Sequence, residues 1–377
     1  MNINSLSLQQ FKNLSGTYTL SPGVTLIVGD NGLGKTNFLE TIYYLSRGRS
    51  LRHSDDRHLI LWGASYPFTK LQGTFSDSNG EEHSLSVIVS NEQDRLQKKY
   101  FINEVPRQKT TFKHTLPVIV FAPTDIEFLI GSPDVRRTML DDFVGMLVPG
   151  FTTLERDYSK TLKQRNKLLK QIRNSEASEK QLGYWDEKLI EFGADIIGYR
   201  IATLVELLPF VKKLAHEIFA QDLQSLDFDY LSKVVDSYEN GIDEIKSAFE
   251  QKLLAGRDKE LNAAMTLYGP QRDDISFFYV SDIKPKISIH EFGSRGQMRI
   301  VALIFKFAMW HHLRDVLGEK PVMLLDDVMA ELDEKNRKRL EDVVKGSGAQ
   351  VFITGTSKEE FSNDFITQSS LLDLDLT

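Results

Sequence analysis

Residues 29–36 read Gly29-Asp30-Asn31-Gly32-Leu33-Gly34-Lys35-Thr36, the spacing G-x-x-x-x-G-K-T. Glycines there let the backbone turn tightly enough for its N–H groups to converge on phosphate oxygens. A lysine at this place supplies positive charge to β- and γ-phosphates, and the Thr36 hydroxyl can ligate Mg²⁺. Far along the chain, Val322-Met323-Leu324-Leu325 is followed by two acids, Asp326-Asp327. A buried parallel strand delivers whatever follows it to the carboxyl edge of its sheet, where ligands bind. Asp326 is then expected to hold Mg²⁺, directly or through water, and Asp327 to stand beside an attacking water as base or positioner. Together the two patterns imply that the chain binds and hydrolyses ATP. The bland readings, a glycine-rich turn and an acidic cap, leave the Lys-Thr pair and the paired carboxylates unexplained.

These residues need elements to place them. Val24–Val28 is a continuous apolar run before the glycine loop, the sign of a strand buried on both faces, and Phe38, Ile42 and Leu45 after it mark a helix. Its N-terminal dipole faces the expected anion. Ile3, Leu6, Leu8 and Phe11 alternate like a strand. So do Phe68–Phe75, Leu85–Val89 and Lys99–Val105, with turns at Asp77–Gly80 and Asn103–Glu104, which predicts a small antiparallel layer. Val118–Phe121 is a further short apolar strand. From 124 to about 262 strand signals are few. Leu154, Tyr158, Leu162, Leu169 and Ile172 share one helix face, Asn174–Lys180 reads as a loop, and a second helix runs from Tyr184 to Ala220 around Pro209, predicting an antiparallel hairpin. After Gly269-Pro270 come short strands at Ile275–Val280 and Ile287–His290, a helix Gly296–Leu317, a strand Val322–Leu325, a helix Glu334–Lys345 and a strand Gln350–Thr354. The expected fold is α/β, a mixed-sheet core built from both termini. Residues 1–121 and 319–377 would form lobe I, and 122–318 a mostly helical lobe II.

Composition narrows the class. With 377 residues, 41% hydrophobic and 26% charged, the chain is globular. It has no cysteine, which excludes disulfides, thiolate metal sites and cysteine nucleophiles. MNINSLSLQQFKN lacks the basic start and apolar core of a signal peptide, and the longest apolar stretch, Ile300–Trp310, is short and carries Lys306. A soluble, cytoplasmic protein with no membrane partner is expected. The net charge of −7 counts against non-specific nucleic-acid binding by the whole surface, though a local basic patch suffices for a DNA face.

Two further motifs carry a resemblance. Phe292-Gly293-Ser294-Arg295-Gly296-Gln297, opening a helix, resembles the signature motif of ABC-type ATPases, and Ala330-Glu331-Leu332-Asp333 resembles their D-loop. Their order is that of the SMC-like branch. Within it the chain resembles the RecF family of bacterial DNA replication and repair proteins over nearly its full length. The shared pieces include Phe11-Lys12-Asn13, the phosphate loop continued through Asn37-Phe38-Leu39-Glu40, and Gly48-Arg49-Ser50-Leu51-Arg52. They also include Phe121-Ala122-Pro123, Gly131-Ser132-Pro133, Gln164-Arg165-Asn166, Trp185-Asp186 and Gly269-Pro270-Gln271-Arg272-Asp273-Asp274. Gln271 departs from the family's usual His, and Arg295 from the Gly of transporters. The resemblance implies a P-loop ABC/SMC-like ATPase head that sandwiches two ATP molecules in an ATP-dependent homodimer. Ser294, Gly296 and Gln297 would complete the partner's γ-phosphate site, beside Gly29–Asn37 of the loop. It also implies slow, DNA-stimulated turnover, DNA gaps or single-strand/double-strand junctions as ligand, RecR and RecO as partners in loading RecA, and a link to the SOS response.

The helix from Arg156 to Arg173 carries seven basic residues and one acid. Arg156, Lys160, Lys163, Lys167 and Lys170 recur at helical spacing as one stripe. The stripe either contacts DNA phosphates or is a solvated face. Arg47, Arg49 and Arg52 form a second candidate set, for DNA, nucleotide or nearby carboxylates. Rival readings are a transporter ATPase, disfavoured by Thr354-Gly355-Thr356 where a switch His is expected, a nuclease, for which no further carboxylate cluster is seen, and a non-hydrolysing ATP-binding module.

Overall fold

Short apolar runs with no polar face are stable only in a sheet covered on both sides, and four such runs become neighbours. The structure, a computed structural model, describes residues 1–52, 55–63, 66–92, 95–217, 226–236, 241–280 and 286–374. Strands Ser370–Leu371, Val24–Val28, Val351–Gly355, Val322–Leu325 and Val118–Phe121 lie in that order in an all-parallel sheet. A second sheet is antiparallel, ordered Leu14–Thr19, Asn2–Phe11, Phe68–Ser76, Glu82–Glu92, Arg95–Ile102, Val105–Arg107. The alternating N-terminal segment thus joins the small antiparallel layer as an inner strand. The turn at Asn103–Glu104 has both residues at positive φ, 49° and 64°, the twist a two-residue hairpin favours.

Helix Lys35–Arg47 is buried on nearly every side. Phe38, Leu39, Ile42 and Leu45 belong to one core with Leu6, Leu71 and Val87 of the antiparallel sheet and Val118, Leu324 and Phe352 of the parallel sheet. A helix covered on both flanks needs no polar face. The sheets and this helix form one compact unit, Met1–Asp125 with Phe305–Thr377; the other is Ile126–Ile304. The second division falls inside helix Arg295–Leu317, which the sequence reading assigned whole to lobe II. Its C-terminal half packs in the first unit: Phe307 lies against Phe121 with tilted rings, and the Trp310 indole donates to the Pro321 carbonyl.

The second unit is mostly helical, with Pro133–Leu147, Phe151–Arg173, Leu182–Glu217, Ile242–Ala255 and Arg257–Ala263. Phe151–Arg173 and Leu182–Glu217 form the expected hairpin, with Pro209 inside the longer helix. Residues 218–220 of that expectation lie outside the described residues. One strand of this unit was not anticipated. Strand Leu226–Leu231 pairs with Asp274–Tyr279, which pairs in turn with Ile287–Ser288. Leu-Asp-Phe-Asp-Tyr-Leu alternates, but amid long helices the run is too short to stand out, and its partner lies over forty positions downstream.

Arg165, 0% exposed, holds this unit's helices together. Its guanidinium donates to Asp186 at 2.7 Å, Glu260 at 2.6 Å and the Thr266 hydroxyl at 2.7 Å. Arg257 also reaches Asp186, at 2.6 Å. A buried charge left without its partner is strongly destabilising. We predict that Glu260→Ala lowers the unit's unfolding free energy by about 3–5 kcal/mol, as measured by urea unfolding followed by circular dichroism. A loss below about 1 kcal/mol would mean that Asp186 alone suffices for Arg165.

Candidate functional site

The glycine loop follows strand Val24–Val28 and ends at the N-terminus of helix Lys35–Arg47. Gly32 and Gly34 sit at φ 92° and 84°, the left-handed region that L side chains avoid. A Cβ on Gly34 would also meet the Asn13 side chain at 2.9 Å. Asn31, Gly32 and Leu33 are exposed at the tip. Lys35, 9% exposed, curls across the loop and donates to the Gly29 carbonyl and, at 2.9 Å, to the Asp30 carbonyl. Its partners among the described residues are neutral carbonyls, so its charge stays available to an anion. Asn37 lines the same cleft but also donates to Asn13 at 2.7 Å, bracing the Phe11-Lys12-Asn13 segment against the helix.

The cleft holds about 310 Å³ and is lined by loop residues, Arg52, Pro123, Asp326, Asp327 and Thr354. Asp326, 2% exposed, ends strand Val322–Leu325 as the apolar run predicts. The Thr36 hydroxyl donates to its Oδ1 at 2.7 Å, the Thr354 hydroxyl to the same oxygen at 3.0 Å, and Arg52 to Oδ2 at 3.2 Å. A carboxylate and a hydroxyl in contact beside a phosphate loop form the all-oxygen pair that suits Mg²⁺. Thr36 and Asp326 are the residues that would hold it, and when bound it would neutralise charge on phosphate oxygens. Asp327 stands at φ 53°, its N–H donating to Thr354 Oγ1 at 2.8 Å. Burial raises the proton affinity of its carboxylate, the nearby charges of Glu360 and Asp326 raise it further, and Lys35 opposes them. An acid so placed is a better base than a solvated one.

The signature segment belongs to the second unit. Ser294 and Gln297 cap helix Arg295–Leu317 reciprocally: the Ser294 N–H donates to Gln297 Oε1 at 2.9 Å, and the Gln297 N–H to Ser294 Oγ at 3.2 Å. Ser294, Arg295 and Gly296 are exposed, so the helix start is open to solvent. The D-loop segment forms a short turn, and Asp333 caps helix Glu334–Ser347 by accepting from the Asn336 N–H at 2.8 Å.

The basic candidates separate. Arg156, Lys160, Lys163, Lys167 and Lys170 are all exposed along helix Phe151–Arg173. Arg156 and Lys160 lie near Asp157, at 3.0 and 3.8 Å. Arg165 faces inward and adds nothing to the stripe. Arg47 is buried and donates to the Val118 carbonyl at 2.9 Å, so it leaves the candidate set: it is the last residue of the helix rather than past it. Arg49 is half-buried. Arg52, read with it as meeting DNA, nucleotide or nearby carboxylates, reaches the Asp326 carboxylate. Sequence reasoning missed Thr354 and Glu360 as parts of the site. Thr354 could have been found as the last polar residue of a buried parallel strand beside the acidic one. Glu360 carries no such signal.

A profile of the RecF/RecN/SMC N-terminal domain matches residues 2–370. The DNA replication and repair protein RecF of Halothermothrix orenii is 35% identical over 360 residues, spanning 94% of this chain and 92% of its own length. The RecF of Desulforamulus reducens is 36% identical over 363 residues, with the same shares covered. A solved structure of the recombination mediator protein RecF-ATP in the RecFOR pathway superposes with a TM-score of 0.86 at 29% identity, covering 96% of this chain and 93% of that one.

Thr354 bridges the two acids through one hydroxyl. Thr354→Val removes both contacts and keeps the shape. We predict that it weakens Mg²⁺-dependent nucleotide binding by about tenfold, roughly the 1–2 kcal/mol of two hydrogen bonds, with Mg²⁺-free binding unchanged. Titration calorimetry with and without Mg²⁺ measures this, and equal loss in both conditions would refute it.

Proposed function

The chain belongs to the RecF family, with the P-loop fold of SMC-like ATPase heads, and on that premise we propose that it is an ATP-switched DNA-binding clamp of DNA replication and recombinational repair. The observation that carries the reading is the pairing of a complete phosphate site with an exposed signature helix start. Lys35, Thr36, Asp326 and Asp327 serve the nucleotide on one chain, and Ser294 with the N–H groups of Arg295 and Gly296 stands open to an anion brought by a second copy.

The mechanism follows from these residues. The loop N–H groups and Lys35 bind the triphosphate, Lys35 exchanging its carbonyl partners for phosphate oxygens. Ser294 of one chain donates to the γ-phosphate held by its partner, so ATP joins the two subunits. Asp327 takes a proton from the attacking water. Hydrolysis removes the γ-phosphate and with it the contacts across the dimer, which then opens. Turnover is slow and stimulated by DNA, because the hydrolysis times a release. The DNA ligand is a gap or a single-strand/double-strand junction, and RecR, RecO and RecA act with the clamp in the pathway and its SOS link. The place of action is the cytoplasm, and no helix among the described residues is long and apolar enough to cross a membrane. The exposed stripe at Lys160, Lys163, Lys167 and Lys170 contacts DNA phosphates without reading sequence.

Solution mass tests the switch. We expect ATP with Mg²⁺ to double the mass, and Lys35→Met or Ser294→Arg to abolish the doubling; a monomer with ATP bound would refute the clamp. For the stripe, Lys163→Glu with Lys167→Glu should weaken binding to a gapped duplex and lower the slope of log affinity against log salt by about 2, one per lost phosphate contact. An unchanged slope would remove the stripe from the DNA interface.

A further inference from the structure

Two buried carboxylate oxygens beside the phosphate site have no hydrogen-bond donor among the described residues: Asp327 Oδ1 and Glu360 Oε2. Buried acceptors are almost always partnered, so an exception calls for a cause. They stand beside adjacent residues at the end of strand Val351–Gly355, Asp327 beside Thr354 and Glu360 beside Gly355. The Asp327 N–H is held by Thr354 Oγ1 at 2.8 Å. A Cβ on Gly355 would lie 3.0 Å from Glu360 Oε2, so glycine leaves that oxygen its place. The Gly355 carbonyl in turn accepts from the Gly29 N–H at 3.3 Å, which joins this strand end to the start of the phosphate loop. Glu360 is not loose. Its Oε1 accepts from the Thr356 N–H at 3.1 Å and from the Thr356 hydroxyl, which leaves Oε2 as the free end of a pinned carboxylate.

We propose that Glu360 is a positioning residue for ATP hydrolysis, which holds the Asp327 carboxylate in place through one water that donates to Asp327 Oδ1 and Glu360 Oε2. The proposal rests on the ATPase reading above. A water with one hydrogen on each acceptor satisfies both buried oxygens at once. It fixes the rotation of the Asp327 carboxylate, so that the second oxygen faces the cleft and the attacking water. In the step that follows, a bond forms between that water's oxygen and the γ-phosphorus. The bond to the bridging oxygen breaks with its electron pair going to ADP, and the released proton passes to Asp327. Glu360 exchanges no proton in this step. Thr356 positions Glu360, so order runs from the strand end through Thr356 and Glu360 to Asp327.

The test compares Glu360→Gln, Thr356→Val and Thr356→Ser with the unaltered full-length protein. ATP turnover is measured together with affinity for ADP plus orthovanadate and for a non-hydrolysable ATP analogue. Positioning of a base acts on the transition state and not on ground-state binding. Glu360→Gln should lower kcat by about tenfold or more, a fraction of what general bases supply. KM and analogue affinity should stay within about twofold, and ADP–vanadate affinity should fall by the same factor as kcat. Thr356→Val should show the same split to a smaller degree, and Thr356→Ser, which restores the hydroxyl, should recover it. An unchanged kcat in Glu360→Gln overturns the proposal. So does a parallel loss of kcat and analogue affinity, which would mean that Glu360 only supports the strand end and the loop. Asp327→Asn separates the two levels of failure. If it turns over ATP normally, hydrolysis does not use this acid and the premise falls; if it is inactive while Glu360→Gln is normal, only the positioning role falls.

Discussion

A carboxylate taken out of water must have its lone pairs matched, and Asp326 meets that demand with donors from three separate parts of the chain. Thr36 comes from the start of the buried helix, Thr354 from the neighbouring parallel strand and Arg52 from the segment after the helix. The site can form only when all three elements are in register. The parallel pairing of Met323, Leu324 and Leu325 with Val351, Phe352 and Ile353 sets Asp326 beside Thr354. The pairing of Val24–Val28 with Val351–Gly355 sets the phosphate loop beside both. Burial supplies the stability, and the carboxylate makes the arrangement specific.

The same logic explains why the helix after the loop is buried almost all round. Its N-terminus must lie at the end of the parallel sheet, where phosphates arrive, and the antiparallel sheet covers its other side. Glu40 is a fully buried acid on that helix. It accepts from Lys12, Ser50 and the Leu51 N–H, which ties the first strand and the Arg49–Arg52 segment to the helix. The second unit repeats the device with opposite sign, a buried Arg165 matched by two acids and a hydroxyl. Both units thus contain buried ions whose partners are distant in sequence.

Relatedness and geometry bear on different parts of the conclusion. Similarity along nearly the whole chain places it among RecF proteins. The residue contacts give the chemical argument for a nucleotide site: a lysine bonded to neutral carbonyls, an oxygen pair suited to Mg²⁺ and an acid of raised proton affinity. An exposed signature helix start and an exposed basic stripe are what a switched assembly on DNA would use, and they lie in the second unit.

Much of this was legible in the sequence because local patterns report local structure. Gly29 through Thr36 announces the loop, and Leu325-Asp326 announces an acid at a strand end. Periodicity at Leu154 to Ile172 announces the helical hairpin. In each case the physical cause lies within a few residues: glycine's freedom at positive φ, the two-faced burial of an apolar strand, the stripe of an amphipathic helix. Strand Leu226–Leu231 was hidden because a strand of six residues is defined by its partner, and that partner is distant. Arg47, Arg52 and Arg165 read alike as basic residues in basic runs. Only tertiary packing decided that Arg47 binds a core carbonyl, Arg52 a buried carboxylate lining the cleft and Arg165 a pair of acids. Thr354 and Glu360 became part of the site for the same reason. A charge or a hydroxyl acts through what stands opposite it, and the chain alone does not say what that will be.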